Sequence, residues 1–457
     1  MLDLLITGGK VAFPGGVQEA SLGIKDGKIS GIYAPGEKPE AKKVKDVAGC
    51  YVMPGLIEPH SHLGVYNSLE EDFSLDTKFS AIGGYTSIFS FHREPGSYMK
   101  QIPEVIALGE KNSMIDFGFH LGLLVEDQVN EIPRHVNELG INSYKFYMGY
   151  KGMEKERFGS DRSLDDGFFY QMLEVMKKAS DNCVMCVHAE NIEIVNYFAR
   201  VLKDEAEDTL TYFERLAPGF TETESIIRTS YLASKVGAKV YYVHTSAGES
   251  IDMIDHLPWY DPSMHYMETC MHYLSQTVDC PEGLLGKVKP PIRYQEDSDR
   301  LWEAVADGRI HTIGTDEAPN YLERKYKKGK SLSQTELGFS EMGFTVPLLF
   351  DEGYHKRGIP VDRLAEITST NTAAIFGVYP QKGIVAVGSD ADLVVVDPEL
   401  KQTVKPDMFP RASDYSIFNG RELKGWPVMT VSRGDIIAEE GKITAPEGRG
   451  KYLRRSK

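Results

Sequence analysis

The feature that most constrains the fold is a repeated alternation of strand-like and helix-like segments through the middle of the chain. Eight runs rich in β-branched and aromatic residues are separated by segments with helical spacing, such as DGFFYQMLEVMKKAS and ETESIIRTSYLASKVG. The eight runs are, in chain order, GLIEPHSHL, YTSIFSFHRE, MIDFGFHLGLL, SYKFYMG, CVMCVHAE, AKVYYVHTSA, MHYMETCMHYL and IHTIGTDEAP. Eight βα units predict a closed parallel (β/α)₈ TIM barrel.

The two ends of the chain have a different residue pattern. Short β-branched runs broken by Gly and Asp occur near the start, as in SLGIKDGKISGI, and again near the end, as in GIVAVGSDADLVVVDP. We therefore expect one composite β-sandwich domain built from residues 1–53 and 380–457, with the barrel formed by residues 54–379. The predicted class is α/β, and a barrel of roughly 250 residues plus a smaller domain suits the chain length.

Charge and composition exclude several classes of partner. With 51 Lys and Arg against 67 Asp and Glu, the net charge is -16, so nucleic-acid binding is not expected. No apolar stretch approaches about eighteen residues and no signal-peptide pattern is present, so we expect a cytoplasmic protein without membrane contact. Five cysteines make no disulfide framework. Cys183 and Cys186 are expected to be buried structural thiols, although a redox or zinc CxxC pair stays open.

Titratable residues coincide with the ends of the predicted strands, which converge on one mouth of a barrel. Each has an ordinary interpretation by itself, because strand-end histidines are commonly hydrogen-bonded core residues and an aspartate often caps a turn. Together, four imidazoles and one carboxylate suit Zn²⁺ or a similar divalent ion. The residues are His60, His62, Lys145, His188, His244 and Asp316.

Lys145 is the unusual member of this set, since it lies within the aromatic run SYKFYMGY. An unpaired buried ammonium costs several kcal/mol, so this lysine should be solvated, paired or chemically altered. Two metal ions close together need a bridging anion, and carbon dioxide can convert the neutral amine of a buried lysine to a carbamate. We therefore expect N6-carboxylated Lys145 between two divalent ions.

The motifs VMPGLIEPHSHL, SYKFYMGY, VHAEN, VHTSAGES and IGTDEAP resemble those of the amidohydrolase superfamily, in its hydantoinase/dihydropyrimidinase branch. That branch also includes allantoinase and dihydroorotase. The likeness runs over nearly the whole chain, and its closing stretch SRGDIIAEEGKITAPEGRGKYL is most similar to hydantoinases. The resemblance implies a homotetrameric hydrolase that opens a cyclic amide, such as a hydantoin or dihydropyrimidine ring, to an N-carbamoyl or amide acid.

The resemblance also assigns roles to individual residues. It implies that Tyr150 donates to the developing oxyanion and that Asp316 passes the proton to the leaving nitrogen. It further divides the ligands between two metal ions bridged by carboxylated Lys145. The implied ligands are His60, His62 and Asp316 for one ion, and His188 and His244 for the other.

Several positions depart from the family pattern. Gly64 stands where dihydroorotases hold a carboxylate with an arginine, which disfavours that activity, and Glu58 replaces the usual Asp. Glu317 follows Asp316 where His is common. The family pattern therefore identifies the substrate contacts less clearly than it identifies the metal ligands.

The predicted substrate contacts are Tyr150, Lys289 and Asn320. Lys289, in KVKPPIR, occupies a place where Ser or Asn is usual, so its ammonium either extends into water or reaches over an anionic group of the substrate. Asn320 belongs to APNYL, which follows Asp316. The polar segment 67–78 is expected to be a loop, either covering the mouth or solvated at the surface.

Three alternatives remain at this point. The ring could be allantoin or another cyclic ureide or imide. The chain could be a non-catalytic scaffold of the same fold, but the six ligand positions are intact and disfavour this. A mononuclear deaminase would not require Lys145 as a bridge, and metal stoichiometry separates it from the binuclear hydrolase.

Overall fold

The computed structural model describes residues 1–455. Within that range the chain forms seventeen strands. The strands are β1 (Leu2–Phe13), β2 (Gly16–Lys25), β3 (Lys28–Tyr33), β4 (Ala41–Asp46), β5 (Tyr51–Pro54), β6 (Leu56–Ser61), β7 (Tyr85–His92), β8 (Asp116–Gly122), β9 (Ser143–Tyr147), β10 (Val184–His188), β11 (Lys239–Tyr242), β12 (His265–Cys270), β13 (Thr312–Gly314), β14 (Leu393–Thr403), β15 (Glu422–Ser432), β16 (Asp435–Glu439) and β17 (Lys442–Ile443).

Sixteen α-helices lie in the same described part of the chain. They are α1 (Leu69–Ile82), α2 (Tyr98–Asn112), α3 (Glu126–Asn130), α4 (Ile132–Arg134), α5 (Glu154–Phe158), α6 (Asp166–Ala179), α7 (Ile192–Val201), α8 (Leu210–Leu216), α9 (Phe220–Val236), α10 (Gly248–Ile254), α11 (Met271–Ser275), α12 (Gln295–Asp307), α13 (Leu322–Lys325), α14 (Thr345–Leu348), α15 (Val361–Ala365) and α16 (Asn371–Ile375). Short 3₁₀ segments span Met148–Tyr150, Lys203–Glu205, Gly283–Gly286 and Met342–Phe344, and π-helical segments span His135–Leu139, Leu349–His355 and Glu366–Thr370.

Strands β6 to β13 form the barrel. They lie side by side in chain order, and every neighbouring pair is parallel. The first and last strands approach each other through a parallel bridge between Ser61 and Glu317, where the His62 N–H donates to the Glu317 carbonyl at 2.6 Å. All eight predicted runs contain a strand of this sheet, so the prediction of a (β/α)₈ barrel is confirmed.

Both ends of the chain contribute to one nine-stranded sheet, which contains β1 to β5 and β14 to β17. The two ends meet where β5 pairs antiparallel with β14. Buried Leu22, Val52 and Leu393 belong to a hydrophobic cluster of this sheet that is separate from the barrel core. The composite β domain is thus confirmed as an architecture, and its boundaries at residues 53/54 and 379/380 stay a prediction.

A buried charge cluster joins the two units. Lys382 is 1% exposed, and its ammonium lies 2.8 Å from Asp116, 3.2 Å from Asp390 and 2.5 Å from Asp392. Asp116 begins a barrel strand, whereas the other two aspartates immediately precede β14. Arg433, in the turn between β15 and β16, also contacts Asp116. Ionic contacts with several carboxylates compensate the desolvation of the buried ammonium.

Segment 67–78 is mostly helical, so the expected polar loop is wrong. It enters helix α1, whose first turn is capped by the Ser68 hydroxyl, an acceptor for a backbone N–H at 3.2 Å. Asp72 is fully buried and accepts a backbone N–H bond of 2.7 Å, while the adjacent Phe73 packs in the core. Polar residues on the buried face hide the helical periodicity from a sequence-based prediction.

The cysteine expectation agrees with the structure. Cys183 and Cys186 are free and buried, and burial raises the pKa of both thiols to about 12. A raised pKa disfavours the thiolate needed for redox chemistry or metal binding. Among residues 1–455, no helix combines the length and apolarity needed to cross a bilayer.

Candidate active site

His60, His62 and Asp316 form the tightest cluster at the barrel mouth. His60 lies on β6, His62 follows that strand, and Asp316 follows β13, so barrel closure brings them together. The Asp316 Oδ1 atom lies 3.1 Å from His60 Nε2 and 3.0 Å from His62 Nε2, and the two Nε2 atoms are 3.2 Å apart. Burial lowers the pKa of His62 to about 3, which keeps it neutral. Neutral imidazole is the form that binds metals.

His188 and His244 form a second, adjacent pair. His188 ends β10 and His244 follows β11, and the His188 Nδ1 atom lies 2.8 Å from His244 Nε2. Both rings are buried, and burial lowers the pKa of each. The ring of His244 also lies 5.3 Å from that of His60, measured between ring centroids, so the two clusters adjoin.

Lys145 lies on β9 and lines the same cleft as these clusters. It is 1% exposed, and its Nζ lies 4.4 Å from the centroid of the Phe91 ring. No carboxylate among residues 1–455 forms an ion pair with it. Burial lowers its pKa to about 8, so the neutral amine is accessible near neutral pH. The solvated and paired alternatives therefore do not apply to this lysine.

The donor atoms suit divalent metal ions. One ligand atom from each of His60, His62 and Asp316 lies within 4.8 Å of the others. Imidazoles beside a carboxylate are donors that Zn²⁺ and similar ions prefer. Glu190 lies 3.6 Å from His188 Nε2, where a carboxylate can orient the ring, so Nδ1, which faces His244 Nε2, is the nitrogen left to bind a metal.

Glu268 organises both clusters and was missed from the sequence. This fully buried carboxylate of β12 accepts from His60 Nδ1 at 2.7 Å and from the backbone N–H of His244 at 2.8 Å. The Tyr241 hydroxyl donates to its other oxygen at 2.6 Å. A carboxylate bonded to Nδ1 of His60 fixes the ring tautomer and leaves Nε2 free to bind a metal.

Glu58 fixes the backbone that carries the first cluster. Its carboxylate accepts from the N–H groups of His60 at 2.8 Å and Thr315 at 3.1 Å, which connects the first and last barrel strands. Burial raises the pKa of this glutamate to about 8. His244 and Asp316 have φ values of +44° and +52°, a conformation that non-glycine residues adopt at some cost and that often marks a functional site.

Tyr150 and Lys289 face the cleft as expected, but Lys289 adopts neither of the two expected positions. Its Nζ lies 2.8 Å from a carboxylate oxygen of buried Glu190, and its side chain is 17% exposed. The ammonium is therefore neither free in water nor free for a substrate. The ring of Tyr150 is nearly parallel to that of His188, with centroids 6.2 Å apart. A substrate contact by either residue stays a prediction.

The Asn320 side chain is engaged away from the cleft. It is fully buried, its Nδ2 donates to the carbonyls of Ala318 and Gly338, and its Oδ1 accepts from Tyr415. The expected substrate contact by this side chain is therefore not supported by the geometry, because its amide is already satisfied. Asn320 positions Gly338, which does line the cleft.

Further polar residues line the cleft that the sequence analysis did not single out. Arg93 follows β7 at the carboxyl edge of the barrel, where functional loops are expected, so its position was a usable signal. Arg157 lies on α5, whose place at the cleft depends on tertiary packing. The added lining residues are Tyr66, Arg93, Tyr147, Arg157 and Glu336.

Comparisons with known proteins agree with this geometry. A family model described as "Amidohydrolase family" matches residues 51–437. The chain is 31% identical to a D-hydantoinase from Ralstonia pickettii, over 100% of this chain and 99% of that protein, and 29% identical to an allantoinase from Rubrobacter xylanophilus, over 98% and 97%. The solved structure of L-hydantoinase (dihydropyrimidinase) from Arthrobacter aurescens superposes with a TM-score of 0.91 at 27% identity, covering 99% of each chain. The protein belongs to the amidohydrolase family.

Proposed function

We propose that the protein is a binuclear metal-dependent hydrolase that opens a cyclic amide of the hydantoin or dihydropyrimidine type to an N-carbamoyl or amide acid. The observation that carries the proposal is the convergence of four histidines, three of them buried, with Asp316 and a buried lysine that has no ion-pair partner among residues 1–455. The names of the relatives agree with this chemistry. Allantoin or another cyclic ureide is the second candidate, favoured by the full-length match to an allantoinase.

Two divalent ions, with Zn²⁺ the first candidate, would be held by this set. His60, His62 and Asp316 would hold one ion, and His188 and His244 the other. N6-carboxylated Lys145 would lie between them, because its amine is buried and lacks a counter-ion. When bound, such ions polarise a carbonyl and lower the pKa of water toward neutrality.

The protein side chains supply the remaining steps. Asp316 accepts the proton of the attacking water and delivers it to the ring nitrogen that leaves. The Tyr150 hydroxyl donates a hydrogen bond to the carbonyl oxygen as negative charge develops there. Glu268 holds the His60 and His244 positions fixed, so little reorganisation is needed during the reaction.

Two other functions fit less well. A non-catalytic scaffold has no need for histidines clustered beside Asp316, nor for Glu58 and Glu268 to hold His60 in place. A mononuclear deaminase would leave the His188 and His244 pair and the buried Lys145 without a role.

The test is turnover of a panel of cyclic ureides and imides by metal-replete protein, with metal analysis of the same sample. We expect opening of at least one hydantoin or dihydropyrimidine ring and two ions per chain. Opening of allantoin alone would favour the second candidate. Hydrolysis of no ring in the panel, or one ion per fully active chain, would contradict the proposal.

A homotetramer and a cytoplasmic location complete the proposal. The tetramer is suggested by the sequence resemblance to hydantoinases, and sedimentation of the holoprotein tests it. A purely monomeric species at micromolar concentration would contradict it. Fractionation of cells tests the location.

A further inference from the structure

The cleft has two arginines that form no ion pair with an Asp or Glu among residues 1–455, Arg93 and Arg157. We propose that the substrate is a cyclic amide with a carboxylate-bearing substituent, and that Arg93 and Arg157 bind that carboxylate. This inference rests on the proposed function, because it names the substrate class of the same site.

Both arginines lie at the junction of two adjoining cavities. Arg93 and Arg157 line the cleft that contains Lys145 and Asp316, and both also line a neighbouring cavity beside Gly64. A substituent on a ring bound beside Lys145 would pass the two guanidinium groups as it enters this second cavity.

The other apolar and charged groups of the second cavity agree with a short acidic substituent. Leu63, Val65, Phe91 and Phe158 provide apolar walls for its methylene groups. Glu94 also borders this cavity, but it forms no ion pair with either arginine among residues 1–455.

Two other charged residues of the cleft are already paired. Lys289 is bound to Glu190 at 2.8 Å, and Glu336 is bound to Lys328 at 3.1 Å. In the described part of the chain, by contrast, no Asp or Glu forms an ion pair with Arg93 or Arg157. Two permanently charged guanidinium groups that face a cleft without counter-ions favour an anionic ligand.

Aromatic contacts hold both guanidinium groups in place. The Arg157 guanidinium lies 4.6 Å from the centroid of the Tyr150 ring, and that of Arg93 lies 5.9 Å from the Tyr147 ring. A guanidinium that lies near an aromatic ring has five N–H donors in all, more than such a contact uses, and can offer others to a carboxylate. Charge-assisted bonds of this kind correspond to an affinity gain of about 10- to 100-fold over a neutral group.

The test compares two nearly isosteric rings, 5-(2-carboxyethyl)hydantoin and 5-(2-carbamoylethyl)hydantoin. Binding is measured by calorimetry on the metal-loaded Asp316→Asn protein, which lacks the proton acceptor for turnover, and in the same background with Arg93→Gln or Arg157→Gln. Lys155→Gln is the matched control, because Lys155 lies on the same helix as Arg157, is 83% exposed and pairs with Asp161 outside the cleft.

We expect the carboxylate ring to bind about 10- to 100-fold more tightly than the amide ring. Each arginine variant should remove most of that preference and change affinity for the amide ring by no more than about twofold, whereas Lys155→Gln should preserve the preference. No binding of the carboxylate ring, equal affinity for both rings, or an unchanged preference in both arginine variants would overturn the inference.

Turnover of the same two rings by the unmutated holoenzyme distinguishes failure of the anion site from failure of the proposed hydrolysis. If the carboxylate ring binds with the expected preference but neither ring is opened, the anion site stands and the hydantoin-type reaction fails. If both rings are opened with equal kcat/KM and bound equally, the reaction stands and the anion site fails.

Discussion

At the scale of single residues, the Lys145 amine is the group whose chemistry most constrains the site. It is almost fully buried, and its ammonium would have an aromatic ring but no carboxylate partner among residues 1–455 to compensate its desolvation. The proposed conversion to a carbamate would replace this cation with an anionic metal ligand. Metal binding would then offset the cost of burying the lysine.

Lys145→Ala is expected to lower kcat/KM by more than about 100-fold, because the bridge between the two ions is lost. Short carboxylic acids such as propionate should restore part of the activity by occupying the same place. Steady-state kinetics with metal analysis check this. Lys151→Ala, which removes a partly exposed lysine paired with Glu193, is the control and should change activity by no more than about twofold. Near-native activity of Lys145→Ala would contradict the bridging role.

Glu268→Gln tests the positioning of the ligands. An amide keeps the shape but loses the charge that orients His60 Nδ1, so affinity for the metal ions should fall about 10- to 100-fold. Competition with a graded chelator measures this separately from turnover. Glu341→Gln is a suitable control, because Glu341 is also buried and accepts a backbone N–H at 2.7 Å but contacts none of the histidines. Equal metal affinity in both variants would refute the role of Glu268.

The positions of single residues also explain which parts of the site could be predicted from the sequence and which could not. The six candidate ligands could be predicted from the sequence because each lies on or just after a recognisable strand. Glu268 was not, because its partner His60 is 208 residues away and only barrel closure brings the two together. The ion pair between Lys289 and Glu190 could not be predicted for the same reason.

At the scale of elements, the eight barrel strands were predictable and helix α1 was not. The strands are nearly continuous apolar runs, as expected for a parallel sheet covered on both faces. Helix α1 instead buries Asp72 and Asp76, whose bonds to neighbouring loops satisfy them. A buried face that includes carboxylates does not show the apolar periodicity on which helix prediction depends.

Ser68→Ala tests the contribution of the Ser68 hydroxyl as the N-cap of helix α1. The hydroxyl caps the N-terminus of the helix, so its loss should lower the free energy of unfolding by about 1 kcal/mol. Chemical denaturation monitored by circular dichroism measures the change. Ser163→Ala is the control, since that serine is exposed and caps no helix, and it should change the free energy by less than about 0.5 kcal/mol. Equal effects of both substitutions would contradict the capping role.

At the scale of the whole molecule, the two ends of the chain fold back to one sheet that packs against the barrel. This arrangement was predictable from the sequence because both ends contain short β-branched runs broken by Gly and Asp. The charge cluster that joins the two units was not predictable. Lys382, Asp390 and Asp392 lie in the segment before β14, and their partner Asp116 begins a barrel strand far away in the sequence. Their burial in one cluster appears only in the tertiary structure.

Lys382→Met is therefore expected to destabilise the protein strongly. The substitution keeps most of the apolar stem but leaves the carboxylates of Asp116, Asp390 and Asp392 buried without this cation, which should cost about 3–5 kcal/mol. Lys28→Met is the matched control: Lys28 pairs with Asp390 at 3.0 Å, but its side chain is 52% exposed, so the cost should stay below about 1 kcal/mol. Urea denaturation of both variants measures the difference. If the two substitutions cost the same, the buried cluster contributes no more than a surface ion pair, and the barrel and the β domain must be joined mainly by apolar packing.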